Sequence, residues 1–190
     1  HNVIDYDTIA ARELSEVLAR LPGIVFEAHS TDYQTRRNLA ALVADGFAIL
    51  KVGPALTFAL REALYGLDAI AEELAPQRRD RTLRQTMEAV MLADPSNWRR
   101  YYEGDASAQR RLRHFSYSDR IRYDWANAEA EASVRQLFDI LEGQDISEPL
   151  IRQYLGSLFP AVQNRKVAPH ARALTLAAIE MVMQDYIAAS

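Results

Sequence analysis

Cysteine is absent from this 190-residue chain, which removes both a disulfide framework and any thiolate metal site and fits a reducing compartment, with the cytoplasm as the default expectation. No apolar run approaches the roughly 18 residues of a membrane span, and the N-terminus lacks the charged-then-apolar layout of a secretory signal. An excess of basic charge is missing too. Against 26 Asp and Glu stand 22 Lys and Arg, a formal net charge of −4, and that balance argues against a nucleic-acid footprint. Glycine loops of the GxxxxGK[ST] and GxGxxG kinds are absent, as is a Ser/His/Asp hydrolase elbow. The four histidines, His1, His29, His114 and His170, have no ligand-like spacing, which argues against an independent catalytic zinc site in the chain. The sequence opens on His1 rather than Met, as expected of a piece of something longer or of a processed product.

What is present reads as a folded domain. The hydrophobic content of 49% is that of an ordinary globular protein, and 190 residues can bury a real core. Asp7 is a plausible N-cap for a helix with apolar residues at Ile9, Leu14, Val17, Leu18 and Leu21, stopped by Pro22-Gly23. "GIVFEAHS" (Gly23 to Ser30) is short, β-branched and aromatic, the pattern of a parallel strand covered on both faces. A helix is predicted from Thr31 to Val43, ended by Asp45-Gly46, then a second buried strand, "FAILKVG" (Phe47 to Gly53). After Pro54, apolar residues at Leu56, Leu60, Leu64, Leu67, Ile70 and Leu74 predict a helix to about Ala75.

The front third therefore alternates helix and strand, which predicts βαβ units and a parallel sheet. Beyond it, helical periodicity covers Thr82 to Met91, Glu129 to Leu141, Glu148 to Leu158 and His170 to Ile187, with no third strand and no repeat. Two strands cannot stand alone as a parallel sheet. An eight-stranded βα barrel needs about 250 residues, so the chain fits the last quarter of such a barrel with a helical region appended.

Three groups of polar residues invite chemistry. Glu27 and His29 share strand parity in the first strand, and Lys51 lies on the parity of Phe47 and Ile49 in the second. Strand C-terminal ends are where barrel enzymes place their chemistry. A Glu27–Lys51 ion pair is expected, either closing the barrel interior or lining a ligand site; a Schiff-base role for Lys51 is a further alternative. Gly53-Pro54 precedes a helix N-terminus that could receive an anion, although Gly-Pro is equally an ordinary strand exit. In "SYSDRIRYDW" (Ser116 to Trp125), Arg120 and Arg122 with Ser118 could clamp a phosphate. Alternatively these arginines pair with Asp119 or Asp124 on a helical surface while Tyr117, Tyr123 and Trp125 pack as core. The upstream run Arg110, Arg111, Arg113 and His114 reads as solvated.

The stretches "FEAHSTDYQT", "FAILKVGPALTFALREALYGLD", "EAVMLADPSNWRRYY" and "SYSDRIRYDW" resemble the C-terminal half of GatZ/KbaZ-type proteins, the non-catalytic subunit of class II D-tagatose-1,6-bisphosphate aldolase, a family long labelled tagatose 6-phosphate kinases. The resemblance implies an α/β fold, the TIM (β/α)8 barrel of class II aldolases. Residues 1–80 would supply its last strands and helices, and 81–190 a helical extension packed on it. It implies a cytoplasmic accessory role in galactitol, tagatose or N-acetylgalactosamine catabolism. The expected partner is a class II aldolase catalytic subunit that carries the zinc, so that no metal or cofactor is expected in this chain. Homo-oligomerisation and binding of a phosphorylated ketohexose are compatible with it, and a sugar-phosphate kinase is the alternative. The ligand-facing set expected from the matched motifs is Glu27, His29, Ser30, Asp32, Lys51, Ser118, Arg120 and Arg122. Gly53 joins it from the helix-end argument, with Glu27, His29 and Lys51 as the catalytic candidates.

Overall fold

In the computed structural model, residues 2–18 and 20–190 are described; His1 and Ala19 lie outside the described residues. The chain forms two compact units, one of residues 1–56 and 180–190, the other of 57–179. The first holds α1 (Thr8–Leu18), β1 (Phe26–Ala28), α2 (Arg36–Ala44) and β2 (Phe47–Leu50). Asp7 caps α1 as its sequence suggests, its carboxylate accepting the Ile9 and Ala10 amides. Thr35 caps α2 through the Asn38 amide, and Gly46 leaves that helix with a φ of +97°.

β1 and β2 pair in parallel, as the alternation requires, with Phe26 opposite Phe47 and Glu27 opposite Ile49; a bulge follows Phe26. Both strands are shorter than the predicted segments, and Glu27, Ala48 and Ile49 are exposed. The expected burial on both faces is therefore not met within this chain, because two strands offer a core on one side only. That core is Ala28, Leu39, Leu42, Phe47 and Ala189, with Tyr6, Phe26, Leu50 and Tyr186 against it.

The second unit is helical. After α3 (Pro54–Leu74), whose first turn lies in the first unit, come α4 (Leu83–Ala93), α5 (Ala106–Phe115), α6 (Ala128–Leu141), α7 (Glu148–Tyr154) and α8 (Phe159–Gln163); α9 (Ala171–Ala189) ends in the first unit. The predicted helix from Glu148 to Leu158 stops at Tyr154, just ahead of Gly156, and α8 starts beyond the predicted end. The core runs through Leu67, Ile70, Met87, Met91, Leu137, Leu141 and Leu174. Asp68 of α3 accepts the Leu83 and Arg84 amides at 2.8 and 3.1 Å and pairs with Arg79, so a buried carboxylate caps α4 from outside. Thr82 and Gln85 complete that end as a capping box. No helix among the described residues is long and apolar enough to cross a membrane.

Candidate functional site

In the first unit the polar end of β1 and the exit of β2 meet. Lys51 Nζ lies 2.9 Å from Glu27 Oε1, and His29 Nδ1 lies 3.5 Å from the same oxygen. The hydrogen bond from Lys51 holds the Glu27 carboxyl below its ordinary range. The ion pair expected from strand parity is present, and it is open to solvent: the side chains of Glu27, Lys51 and His29 are 38%, 51% and 75% exposed. A cavity of about 540 Å³ adjoins it, lined among others by Tyr6, Asp7, Glu27, His29, Ser30 and Gln34. The wall opposite β1 comes from the N-terminal segment, which Gln34 holds by accepting the Tyr6 amide at 2.9 Å and donating to the Ile4 carbonyl at 2.8 Å.

The turn after β1 departs from the predicted helix start. Ser30 and Tyr33 both have φ of +62°, and α2 begins only after Thr35. Asp32, between them, turns to the neighbouring strand exit, where its Oδ1 accepts the Gly53 and Ala55 amides at 2.9 and 2.8 Å. The N-terminus of α3, read from sequence as a place for an anion, already holds one, the protein's own carboxylate. A phosphate would have to displace Asp32 and overcome its charge. Among the described residues no group of three or more His, Asp or Glu is placed to hold a metal ion.

The remaining candidates lie in the second unit. Tyr102 Oη accepts from Ser118 Oγ and from the Arg120 amide, both at 3.2 Å. The Arg120 guanidinium lies over the Tyr101 ring, 3.2 Å from its centroid, and Arg122 donates to the Ser118 and Asp119 carbonyls and to Tyr123 Oη. Both arginines are thus engaged by aromatic rings and backbone oxygens, and among the described residues neither forms the predicted salt bridge with the Asp119 or Asp124 carboxylate. Tyr117 and Tyr123 are about half exposed rather than core, whereas Trp125 does pack on the core.

Asp119 instead meets Arg61, which periodicity hid on α3. Asp119 Oδ1 accepts from Arg61 Nε at 2.8 Å and Oδ2 from Thr57 Oγ1 at 2.6 Å, with Arg61 2% exposed and its guanidinium 4.1 Å from the Phe58 ring centroid.

The basic run is not solvated throughout. Arg113 and His114 are buried, Arg113 pairs with Glu88, and His114 links Tyr65 Oη (2.7 Å) to Glu88 Oε2 (3.0 Å). Burial drives the His114 pKa down to about 4 despite Glu88. The ring is therefore neutral at pH 7, receiving the Tyr65 proton at Nδ1 and donating from Nε2 to Glu88. Burial opposes ionisation of Glu88, but the Arg113 hydrogen bond and charge outweigh it and hold its pKa below the ordinary value. Asp124 shows the reverse, pushed up to about 6 by burial and by the Asp94 charge, with Oδ2 buried and unpartnered among the described residues.

The model of one family, described as D-tagatose-1,6-bisphosphate aldolase subunit GatZ/KbaZ-like, matches residues 1–190. The chain belongs to the GatZ/KbaZ-like family. It is 52% identical over all its residues to a protein of Agrobacterium fabrum named D-tagatose 6-phosphate 4-epimerase, of which it covers 44%. It superposes with a TM-score of 0.99, at 58% identity, on 49% of a chain in the crystal structure of a probable tagatose 6 phosphate kinase from Sinorhizobium meliloti 1021. The chain thus spans about half the length of the relatives it matches. Within the GatZ/KbaZ-like family these names differ over the reaction and agree on tagatose metabolism.

Proposed function

We propose that this chain is the part of a tagatose 6-phosphate 4-epimerase that brings Glu27, His29 and Lys51 to the substrate. The observation that carries this reading is the 52% identity, across every residue, to a protein named for that activity. The chemistry suits an aldolase-related family. In a 2-ketohexose the C4 hydroxyl is β to the C2 carbonyl. A base can take the hydroxyl proton while the C3–C4 bond breaks, leaving a C4 aldehyde and a C1–C3 enediolate. Re-addition to the other face of the aldehyde, with the proton returned to the C4 oxygen, inverts C4 with no net oxidation. Glu27, kept ionised by Lys51, is the base in this reading. The Lys51 ammonium faces the developing enediolate charge, and His29 passes the proton.

In the same reading the α1 to α3 segment is the closing part of a TIM (β/α)8 barrel, residues 1–80 belonging to the barrel and 81–190 to its helical extension. Ser30, beside Glu27 and His29 at the cavity, is the candidate to hold the phosphate. The protein works in the cytoplasm. A second reading, the accessory subunit of a zinc-dependent class II aldolase, is favoured by the family description.

The test is to follow full-length protein on tagatose 6-phosphate with an enzymatic readout for its C4 epimer, fructose 6-phosphate. Turnover by the protein alone, lost by at least about a hundredfold in Lys51→Met and Glu27→Gln, supports the epimerase. Absence of turnover, with activation of an added class II aldolase subunit on tagatose 1,6-bisphosphate, supports the accessory role. Consumption of ATP with tagatose 6-phosphate supports the kinase named in the homologous crystal structure.

A further inference from the structure

The polar atoms of Thr31 are all in use. Thr31 is 4% exposed. Its amide and its hydroxyl both donate to the Lys51 carbonyl at 2.9 Å, and the Lys51 amide donates to the Ala28 carbonyl at 3.0 Å. The Thr31 carbonyl in turn accepts from Tyr186 Oη, in α9, at 2.9 Å. Tyr186 Oη is also 3.1 Å from Thr31 Oγ1. Because the Thr31 hydroxyl hydrogen is spent on Lys51, the single Tyr186 hydrogen is shared between the Thr31 carbonyl and hydroxyl oxygens. Burial raises the Tyr186 pKa, so the phenol remains a donor throughout the neutral range.

This bonding matters because the turn is strained. Ser30 and Tyr33, on either side of Thr31 and Asp32, hold left-handed backbone conformations that cost a non-glycine residue of order 1–3 kcal/mol each. Such a turn persists only when its surroundings over-determine it. The restraints near the strands include the Thr31–Lys51 bonds, the Gln34 amide on the Thr31 carbonyl at 3.4 Å and the Asp32 cap; Tyr186 adds one from 155 residues later. The ring is seated against the small core of Ala28, Leu39, Leu42 and Phe47.

We infer that Tyr186 is a positioning residue: its hydroxyl fixes Thr31, Thr31 fixes the Lys51 backbone, and the Lys51 ammonium is thereby held against Glu27 at the mouth of the proposed site. This rests on the reading of Glu27 and Lys51 as the proton-transfer pair. Tyr186 itself touches no reacting atom.

The experiment is Tyr186→Phe in the full-length protein, which keeps the ring in its seat and removes only the hydroxyl. C4 epimerisation of tagatose 6-phosphate should show kcat down tenfold or more with KM within about twofold. Asp185→Ala is the control, since Asp185 forms an exposed ion pair with Arg36; it should leave both constants within about twofold. Hydrogen exchange supplies a readout that needs no activity. The Thr31 and Lys51 amides should exchange at least tenfold faster in Tyr186→Phe, with amides of the second unit unchanged. Unaltered exchange at both amides overturns the inference whatever the kinetics, and so does an active variant with wild-type kcat. If the wild-type protein shows no epimerisation, the functional reading fails on its own, and the exchange rates alone decide whether Tyr186 sets the turn.

Discussion

Asp124→Asn should stabilise the protein at neutral pH and uncover an acid weakness that the wild type conceals. Burial and the Asp94 charge move the Asp124 pKa from 3.8 to about 6. The unfolded chain therefore releases this proton more readily than the folded one. The cost of ionising it in place appears as pH rises from about 4 through 6, reaching about 2–3 kcal/mol at pH 7. His114 runs the opposite way. Its pKa falls from 6.5 to about 4 on folding, so stability present above pH 6.5 is lost as pH falls through 4, by about 3 kcal/mol. Tyr65, Glu88, Arg84 and Arg113 are the charged or titratable groups around it, and Glu88, held below 4.5, adds to the loss only in stronger acid. Between pH 4 and 6.5 the two contributions nearly cancel in the wild type. Asparagine removes one of them. Urea unfolding of full-length protein at half-unit pH steps should show the variant about 2 kcal/mol more stable at pH 7, the gap closing to under about 1 kcal/mol at pH 4. Equal stability at pH 7, or a gap that does not change with pH, refutes the reasoning.

Three other substitutions have outcomes set by the structure. Asp119→Ala leaves Arg61 buried without its carboxylate and should cost about 3–5 kcal/mol by denaturant unfolding, whereas Arg61→Met with Asp119→Leu should recover most of that loss. Gly66→Ala places a methyl 2.4 Å from Leu155 Cδ2 and 2.6 Å from the Tyr154 carbonyl. Backbone cannot yield as a side-chain tip can, so about 1–3 kcal/mol should be lost in the same assay. Asp32→Ala should cost about 0.5–2 kcal/mol as a lost cap. It should also tighten binding of inorganic phosphate, measured by titration calorimetry, because the α3 N-terminus then lacks its internal anion.

The helices that bury an apolar stripe were legible because their pattern is the cause of their packing, as in the leucine ladder of α3 and the periodic run of α4; α1 stands where its Asp7 cap put it, although Ile9, Leu14 and Val17 on it are exposed. α5 escaped. It contains few large apolar residues, and the face it buries is Arg113 and His114. A pattern method that scores polarity as exposure cannot see a helix anchored by an ion pair to Glu88; Asp105, which caps it through the Ala108 amide, was the one local signal. The start of α2 shifted from Thr31 to Arg36 because Thr35 is the better-placed cap and Asp32 is drawn to the end of α3, a contact 21 residues along the chain. The Glu27–Lys51 pair could be anticipated from strand parity, although it lies open to solvent and not buried as expected. The Arg61–Asp119 pair could not, since 58 residues separate its members and nothing local marks either one.

The first unit takes residues 1–56 and 180–190 from the two ends of this sequence, with all of the second unit between them. On a ribosome adding about 5–20 residues per second, β1 and β2 emerge several seconds to roughly half a minute before Tyr186 can reach Thr31. For that interval the strained turn lacks one of its restraints. The helical second unit, rich in local contacts, can meanwhile fold first. Substitutions in the last turns of α9 should accordingly lower the yield of soluble protein made in cells more than they lower the stability of protein already folded.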